Sequence, residues 1–357
     1  MKILFIYQYL SIGGVETIIK NRIKFFPDTI KVDLLFLYKI SSIEIFEGLN
    51  INKIYIEKNL KKIKNITIEN KYDYIISIDT PQIHEILDNI NEKTKIILEV
   101  HTGYYENREY IRRKNIPKNT KLIIVPSKSF KNIIQEELNN YIIPIYELPN
   151  CVDEIFFNEY EFKFSKIMSI PILWVGRLDS LKNWFELLKI FKILIEIMKD
   201  NNFELVIVGG YKSNKIDIDN FKNLLEKYEL LDKILWLPYI NYNNMPKLYK
   251  MVSCRGGFFI STSKSESFGM TVAESMATGC PILASNIDVH RELLDEGKGG
   301  FLYELGNVDD AINNIKILIN NKDLKNEKVI YSCNKAKREF DPINHTEKFL
   351  NIITRDN

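Results

Sequence analysis

The sequence alternates short runs of branched apolar residues with longer segments of helical periodicity, and it does so twice. In the first 150 residues the apolar runs lie at 3–9, 32–37, 51–56, 74–78, 95–101 and 122–126. Segments between them, such as 14–26 and 127–138, repeat apolar residues every three to four positions, which is typical of amphipathic helices. This alternation predicts a parallel sheet covered by helices, and near-continuous Ile, Leu and Val fits strands buried on both faces.

A second alternation follows a break at 146–153 and a polar, aromatic segment that runs to 166. Its apolar runs lie at 170–175, 203–208, 234–237, 257–260 and 282–284, and helices are predicted near 183–199, 220–229, 245–251, 289–295, 308–320, 324–340 and 344–353. A chain of 357 residues is long enough for two domains. The sequence therefore predicts two doubly wound α/β domains. The chemistry is expected at the carboxyl ends of the strands, where open sheets bind ligands.

Composition argues against several classes of protein, among them nucleic-acid-binding, zinc-binding, disulfide-rich and membrane-spanning proteins. The chain is 45% apolar and 27% charged with a net charge of +2, which is typical of a soluble globular protein and gives no drive toward nucleic acid. The four cysteines form no CxxC pair, so neither a zinc site nor a disulfide framework is indicated. The apolar start at 1–10 lacks a small-residue cleavage site, and no uncharged apolar run reaches about 18 residues. We expect a cytoplasmic protein.

The segment 257–284 carries the strongest candidate site. An apolar strand leads into a polar loop, and a helix opened by Gly269 and stopped by Gly279 follows. A glycine at a helix N-terminus lets backbone N–H groups approach a phosphate, and the helix dipole favours negative charge there. Glu274 is a candidate acceptor for ribose hydroxyls, and Glu266 for the group beyond the phosphates. The alternative is that Glu266 caps a helix and Glu274 lies on a solvated face.

Two cations form the second candidate cluster. Arg177 and Lys182 lie on either side of a short loop after the strand at 170–175. A planar Arg fork and a Lys point charge beyond a strand end can neutralise a diphosphate leaving group. The alternative is a pair of solvated surface charges, which is common in a lysine-rich chain.

Weaker candidates follow other strands. Gly13 and Gly14 precede a helix, so their loop either contacts a phosphate or sugar or is a simple turn. His101 ends an apolar run at the carboxyl edge of the first sheet, where a lone histidine is more often a structural hydrogen-bonding residue than a catalyst. Tyr239 follows the apolar run at 234–237, and aromatic residues there are more often core than ligand contacts. The pair Asp217 and Asp219 lies at a predicted helix start and is interpreted as a cap, so no metal site is expected.

The segment 105–118 is basic and aromatic and is predicted to be helical. Its cations are either a solvated face or a contact for an anionic membrane surface or a lipid diphosphate, at about 1 kcal/mol per basic residue near the bilayer. The residues concerned are Arg108, Arg112, Arg113 and Lys114.

These motifs together resemble a known family. Ser-Lys-Ser-Glu-Ser-Phe-Gly-Met at 263–270, then Glu274 and Gly-Cys-Pro-Ile-Leu-Ala-Ser at 279–285, resemble the glutamate–seven residues–glutamate signature of retaining GT-B glycosyltransferases, and of family four in particular. Gly-Arg-Leu at 176–178, Lys-Asn at 182–183 and Gly-Gly at 13–14 match the family as well. Ser275 departs from the alanine that is usual there.

The resemblance implies the GT-B fold, in which two Rossmann-like domains face each other across a cleft. The acceptor domain is expected at 1–150 with a returning helix at about 341–357, and the donor domain at 151–340. It implies a retaining, hexosyltransferase-type enzyme that takes a nucleotide-diphosphate sugar, with UDP as the expected nucleotide and no cofactor or metal. The implied acceptor is a glycan, glycolipid or polyprenyl-linked sugar of bacterial surface polysaccharide assembly, with peripheral contact to the inner face of the cytoplasmic membrane. The implied catalytic residues are Arg177, Lys182, Glu266 and His101, the donor-binding residues are Ser267, Phe268, Gly269, Met270, Thr271, Glu274 and Tyr239, and the acceptor or phosphate loop contains Gly13 and Gly14.

Two other functions fit the same fold. A nucleotide-sugar epimerase would need an acid/base set, and only His101 is near the expected site. A catalytically inert, nucleotide-binding partner subunit would be indicated by a degraded phosphate motif, whereas Arg177, Lys182, Glu266 and Glu274 are all present.

Overall fold

The structure is a computed structural model that describes residues 1–11, 13–40, 43–162, 169–211 and 213–355. The chain divides into two compact units. The first unit is Met1–Asp153 with Glu339–Asn357, and the second is Glu154–Arg338. The divisions expected from the sequence were 150/151 and 340/341.

The described elements are parallel strands and helices in alternation. The strands are β1 (Lys2–Leu10), β2 (Lys31–Lys39), β3 (Lys53–Ile56), β4 (Tyr74–Ile78), β5 (Lys95–Glu99), β6 (Thr120–Val125), β7 (Ile145–Glu147), β8 (Ile170–Val175), β9 (Phe203–Val208), β10 (Ile234–Leu237), β11 (Phe258–Ser261), β12 (Ile282–Ser285) and β13 (Phe301–Tyr303). The α-helices are α1 (Gly14–Lys24), α2 (Leu60–Glu69), α3 (His84–Leu87), α4 (Glu109–Arg112), α5 (Lys128–Leu138), α6 (Trp184–Ile197), α7 (Lys215–Lys227), α8 (Met245–Cys254), α9 (Met270–Thr278), α10 (Asp288–Leu293), α11 (Val308–Asn320), α12 (Lys322–Glu339) and α13 (Pro342–Thr354). Short 3₁₀ turns lie at Ile43–Phe46, Pro81–Ile83, Glu106–Arg108, Glu154–Phe157, Leu231–Lys233 and Tyr242–Asn244.

The first unit is built on a seven-stranded parallel sheet of order β3-β2-β1-β4-β5-β6-β7. Alternate residues of β1 enter different cores: Leu4 and Ile6 pack on one face, and Ile3 and Phe5 on the other. The second face includes Phe349 of α13, whose ring lies 6.0 Å from that of Phe5. The last described helix is therefore part of the first unit's core.

The second unit is built on a six-stranded parallel sheet of order β10-β9-β8-β11-β12-β13. Trp174 of β8 and Phe258 of β11 pack on one face in a core that also contains Phe191 of α6. Phe259 lies on the opposite face, with its ring 5.7 Å from that of Tyr249 in α8. The prediction of two parallel-sheet, doubly wound α/β domains is confirmed.

The predicted elements differ from the structure in a few places. Strands β7 and β13 were not predicted, because three residues are too few to show a period-two pattern. Strand β5 ends at Glu99, so His101 lies in the loop after the strand. Helix α7 begins at Lys215 with Asn214 as its cap, and Asp217 lies in its first turn.

The basic segment 105–118 is not one helix. It forms a 3₁₀ turn at Glu106–Arg108 and one α-helical turn, α4. Arg108 is buried and its guanidinium pairs with Glu137, with Nη2 2.9 Å from Oε1. Of the four cations, only Arg113 and Lys114 are exposed, so the prediction that Arg108 belongs to a surface cluster is wrong. Among the described residues, no helix combines the length and hydropathy needed to cross a bilayer.

Candidate active site

The loop and helix after β11 form the centre of the candidate site in the second unit. Gly269 precedes α9 with φ = 88°, in the left-handed region that favours glycine. A Cβ there would lie 3.0 Å from Cδ1 of Leu293. The helix begins at Met270, and Val272 and Ala273 donate their N–H groups to the Gly269 carbonyl. The N–H groups of Met270 and Thr271 precede these two and have no acceptor within the helix, so an anion at the helix end can accept from them.

Glu266 is held by the cation predicted to neutralise the leaving group. Lys182 Nζ lies 2.5 Å from Glu266 Oε1, and Ser263 Oγ donates to the same oxygen at 2.7 Å. Burial by itself would raise the pKa of Glu266, but the Lys182 ammonium outweighs it and the pKa is lowered. The carboxylate is ionised, and it does not cap α9. The alternative that Glu266 is a helix cap is therefore wrong.

Arg177 and Lys182 are connected by a carboxylate that the sequence analysis did not single out. Asp179 accepts from Arg177 Nε at 2.8 Å and from the Lys182 backbone N–H at 2.9 Å. The side chain of Arg177 is 53% exposed and that of Lys182 is 20% exposed. The signal for Asp179 was its place between two cations in a loop too short to separate them.

The carboxylates balance the cations in the absence of a ligand. Arg177 and Lys182 face Asp179 and Glu266, so the formal charge of the four groups is zero. An ammonium has three N–H donors, and Glu266 takes one of those on Lys182. A bound phosphate can therefore share Lys182 with Glu266.

Glu274 lies on the buried side of α9 and is 7% exposed. Its Oε2 accepts from the Tyr249 hydroxyl at 3.3 Å, and burial raises the pKa of that hydroxyl well above its usual value. The alternative that Glu274 lies on a solvated face is wrong. Ser267 is half-buried beside the loop, Phe268 is buried in it, and the Thr271 carbonyl accepts from Tyr249 at 3.2 Å.

His290 lies next to Gly269 at the end of the loop, and sequence reasoning assigned it no role. A Cβ on Gly269 would lie 3.7 Å from His290 Cδ2. His290 Nδ1 lies 2.9 Å from the Ser285 carbonyl, and burial lowers the pKa of the imidazole. Nδ1 therefore carries the proton and donates it to this carbonyl.

Two strand ends approach each other closely next to Arg177. Gly209, with φ = 113°, follows β9, and a Cβ there would lie 2.2 Å from the Gly176 carbonyl oxygen. The Gly209 carbonyl accepts from Trp236 Nε1 at 2.9 Å. Tyr211 and Tyr239 follow at the same edge of the sheet, half-exposed, with ring centroids 5.5 Å apart and planes at 78°. This pair offers an aromatic face, so Tyr239 is not a core residue.

In the first unit, His101 lies just beyond β5 in a polar cluster. Its Nε2 is 3.0 Å from Glu99 Oε2, and its backbone N–H reaches both oxygens of Asp79 at 3.1 Å. Glu99 also accepts from Arg22 Nη1 at 2.5 Å. Burial opposes ionisation of Glu99, yet the Arg22 guanidinium prevails and the pKa falls to about 2. For Asp79 burial prevails, and the pKa rises to about 6.

Gly13 and Gly14 form the turn into α1, and Glu16 closes it. Glu16 is 1% exposed, and its Oε1 accepts from the Ser11 backbone N–H at 2.8 Å and from Ser11 Oγ at 2.5 Å. A Cβ on Gly13 would lie 3.1 Å from Glu16 Oε2. Ile12, between these groups, lies outside the described residues.

Metal ligands do not cluster in the described ranges, where no group of three His, Cys, Asp or Glu side chains could hold an ion. Asp217 takes part in capping α7: its N–H donates to Asn214 Oδ1 at 2.8 Å, and its Oδ2 accepts from Asn214 Nδ2 at 2.6 Å.

Comparison with known proteins agrees with this architecture. The GT-B structure of the Anabaena protein HepE, solved with UDP and glucose, superposes with a TM-score of 0.83 over 99% of each chain at 17% identity. The fold is therefore GT-B.

The sequence comparisons then show which proteins this chain is similar to. Residues 158–335 match the family model for glycosyl transferases group 1. An uncharacterised glycosyltransferase of Methanocaldococcus jannaschii is 32% identical over 209 residues, which is 58% of this chain and about half, 52%, of the relative. One from Haemophilus influenzae is 27% identical over 271 residues, 74% of this chain and 71% of the relative. Through residues 158–335 the second unit is similar to the glycosyl transferases group 1 family, and the chain spans about half the length of the Methanocaldococcus relative that it matches.

Proposed function

We propose that this protein is a retaining glycosyltransferase that moves a sugar from a nucleotide-diphosphate sugar to a hydroxyl acceptor without a metal ion. The observation that carries the proposal is the cluster of Arg177, Asp179, Lys182 and Glu266 beside the N-terminus of α9. It combines two cations and a set of helix N–H donors with a carboxylate that is kept ionised. A departing diphosphate needs the donors, and sugar hydroxyls need the carboxylate.

In the proposed reaction the bond between the anomeric carbon and the phosphate oxygen breaks, and its electrons go to the diphosphate. Arg177, Lys182 and the N–H groups at the start of α9 stabilise that charge, and such electrostatic stabilisation is usually the largest catalytic contribution. Glu274 binds the ribose, Tyr239 the base and Glu266 the sugar, and the family resemblance adds His101 as a sugar-orienting residue. The acceptor oxygen forms its bond to the anomeric carbon on the face that the diphosphate leaves, its hydroxyl proton passes to the departing phosphate oxygen, and no enzymic nucleophile takes part. Retention rests on the family-four resemblance.

UDP is the proposed nucleotide. The Anabaena protein that shares the fold has been solved with UDP and with UDP-glucose. The edge-to-face pair of Tyr211 and Tyr239 offers a π-face at the edge of the donor unit's sheet. Aromatic stacking tolerates every base, so this pair supports nucleotide binding without selecting uracil.

The proposed acceptor is a glycan, glycolipid or polyprenyl-linked sugar of a surface polysaccharide, bound by the first unit through the loop of Gly13 and Gly14. Contact with the cytoplasmic membrane is proposed through the exposed cations Arg113 and Lys114. Flotation with anionic and neutral vesicles tests this contact. The double variant Arg113→Gln/Lys114→Gln should float less with anionic vesicles, and equal flotation of wild type and variant would exclude these residues.

The function is tested with a screen of UDP-, GDP-, ADP- and dTDP-sugars in the presence of EDTA. The expected result is thermal stabilisation by one nucleotide and slow release of that nucleotide from its sugar. The Arg177→Ala variant should still bind the nucleotide sugar. It should hydrolyse the bond between nucleotide and sugar at least ten-fold more slowly, which is a barrier change of about 1.4 kcal/mol. If no nucleotide sugar binds, the transferase proposal fails and an inert partner subunit becomes the better explanation.

A further inference from the structure

Four side chains of the first unit form one hydrogen-bond chain that ends at His101. His345 of α13 has Nδ1 2.8 Å from the Pro149 carbonyl, and its Nε2 accepts from Arg22 Nε at 2.9 Å. Arg22 Nη1 then meets Glu99 Oε1 at 2.5 Å, and Glu99 Oε2 meets His101 Nε2 at 3.0 Å. Arg22, Glu99 and His345 are each at most 1% exposed, whereas the side chain of His101 keeps 7%.

The direction of every hydrogen bond in this chain follows from chemistry. A guanidinium only donates, so His345 Nε2 must accept from Arg22 and His345 Nδ1 must carry the proton that the Pro149 carbonyl accepts. Glu99 is ionised beside Arg22 and therefore only accepts. His101 must then hold a proton on Nε2, and in the neutral form of the ring the Nδ1 atom has the lone pair.

Asp79, which follows β4, helps to hold the backbone of His101 in place. Asp79 holds the His101 backbone N–H with both carboxylate oxygens. Asp79 itself has φ = 42°, an uncommon left-handed conformation for a residue other than glycine. Within the described ranges no protein group is hydrogen-bonded to His101 Nδ1, so the atom remains available to a ligand.

Stability is a weak reason to keep this arrangement. A buried ion pair is often no better for stability than apolar residues of the same volume. Arg22 and Glu99 are fully buried. The second carboxylate oxygen of Glu99 accepts a hydrogen bond from His101, whose side chain is 7% exposed. An ion pair that only supported the fold would not need to control the protonation of a histidine at the sheet edge.

We propose that Glu99, oriented by Arg22, is a positioning residue that keeps His101 in the Nε2–H tautomer, so that Nδ1 accepts a hydrogen bond from a sugar hydroxyl. The sugar contact rests on the proposed function, whereas the tautomer does not. Substrate selectivity follows from it, because a donor sugar that lacks the contacted hydroxyl leaves Nδ1 without a partner and is a poorer substrate.

The sharpest perturbation is Glu99→Gln. Arg22 can only donate, so the new amide must turn its oxygen to Arg22 and its NH₂ group to His101 Nε2. His101 must then move its proton to Nδ1, which changes the group offered to the sugar from an acceptor to a donor. In serine-protease triads the comparable change of the orienting Asp to Asn costs about 10⁴ in kcat through the wrong tautomer.

The first measurement needs no variant. Histidine-selective ¹⁵N NMR of the full-length protein reports the protonated nitrogen of each of the four histidines, and His101→Ala assigns the resonance. A neutral His101 with its proton on Nε2 is the expected result. A proton on Nδ1 would overturn the proposal, whether or not the enzyme turns over any sugar.

The second measurement compares donor hydrolysis by wild type, Glu99→Gln, His101→Ala and the double variant. Glu99→Gln should lower kcat/KM at least about ten-fold while the Kd for UDP, which carries no sugar, is unchanged. In the His101→Ala background the same change should have no further effect, because Glu99 acts through His101. An undiminished effect in that background would show that Glu99 only supports the fold. If wild type hydrolyses no nucleotide sugar, the proposed function fails and the NMR result still decides the tautomer.

Discussion

Replacement of Lys182 by Met tests how much of the reaction depends on one cation. Met keeps the length and apolar stem of the side chain and removes the ammonium that lies 2.5 Å from Glu266. Two unit charges about 4 Å apart interact by about 4 kcal/mol at an effective dielectric constant near 20. Lys182 is only 20% exposed, so solvent screens it little, but Glu266 already offsets part of its charge.

The loss expected from these values is about 2.7 kcal/mol, or about a hundred-fold in kcat. The UDP affinity should fall by less than kcat, because negative charge grows on the diphosphate only as it departs. Single-turnover hydrolysis of the donor measures the chemical step. A decrease of less than ten-fold in that step would refute the assignment of Lys182 to the leaving group.

A matched control is present on α6 of the same unit. Lys192 pairs with Glu196 one turn away at 3.2 Å on an exposed face, and Lys192→Met should leave kcat unchanged. All three tryptophans, Trp174, Trp184 and Trp236, lie in the second unit, so their fluorescence reports whether Lys182→Met has unfolded it.

Three further predictions concern the same elements. Burial, reinforced by Arg22, lowers the pKa of His345 to about 3, whereas an unfolded histidine titrates near about 6.5. The stability that the neutral ring contributes is complete above that value and is lost as the pH falls toward 3, so about 2 kcal/mol should disappear between about pH 8 and pH 5. Hydrogen exchange in α1 and α13 measures this, and His345→Asn should remove that part of the pH dependence. Gly269→Ala should destabilise the second unit in thermal melts by about 1–3 kcal/mol and weaken UDP binding, because φ is 88° and a Cβ would meet Leu293. Gly256→Ala, with φ of 80° and open space, is the control for backbone strain alone, and equal losses would argue against the steric contribution. Tyr239→Ala should raise the Kd for UDP in calorimetry about five-fold or more by removing a stacking face, whereas the exposed Leu231→Ala should not, and an unchanged Kd for Tyr239→Ala would exclude stacking on that ring.

The sequence predicted most of the sheet architecture for a physical reason. Strands such as β1 and β4 are apolar at successive positions because helices cover both faces, and this pattern is visible without any tertiary information. The three-residue strands β7 and β13 have no such signal. Their pairing with β6 and β12 stabilises them, and only the folded chain shows it.

The candidate site shows the same division. Glu266 and Lys182 stand in local motifs, so both were found, but the 2.5 Å contact between them joins positions 84 residues apart. Arg22 and His345 are 323 residues apart and lie in unremarkable helical contexts. No local pattern connects them, because the geometry of the first sheet brings them together. The prediction for Arg108 was wrong for the converse reason. A basic run suggests a solvated surface, and the Glu137 carboxylate that neutralises Arg108 is remote in sequence.

The place of α13 in the first unit has a consequence for how the protein is made. The ribosome completes the whole second unit before it synthesises the helix that covers Ile3 and Phe5 and supplies the partner of Arg22. At about 5–20 residues per second, that interval is on the order of ten seconds or more. The first unit to emerge is therefore the last to finish folding. A nascent chain that stops before His345 carries an unfinished apolar face, which chaperones and proteases recognise.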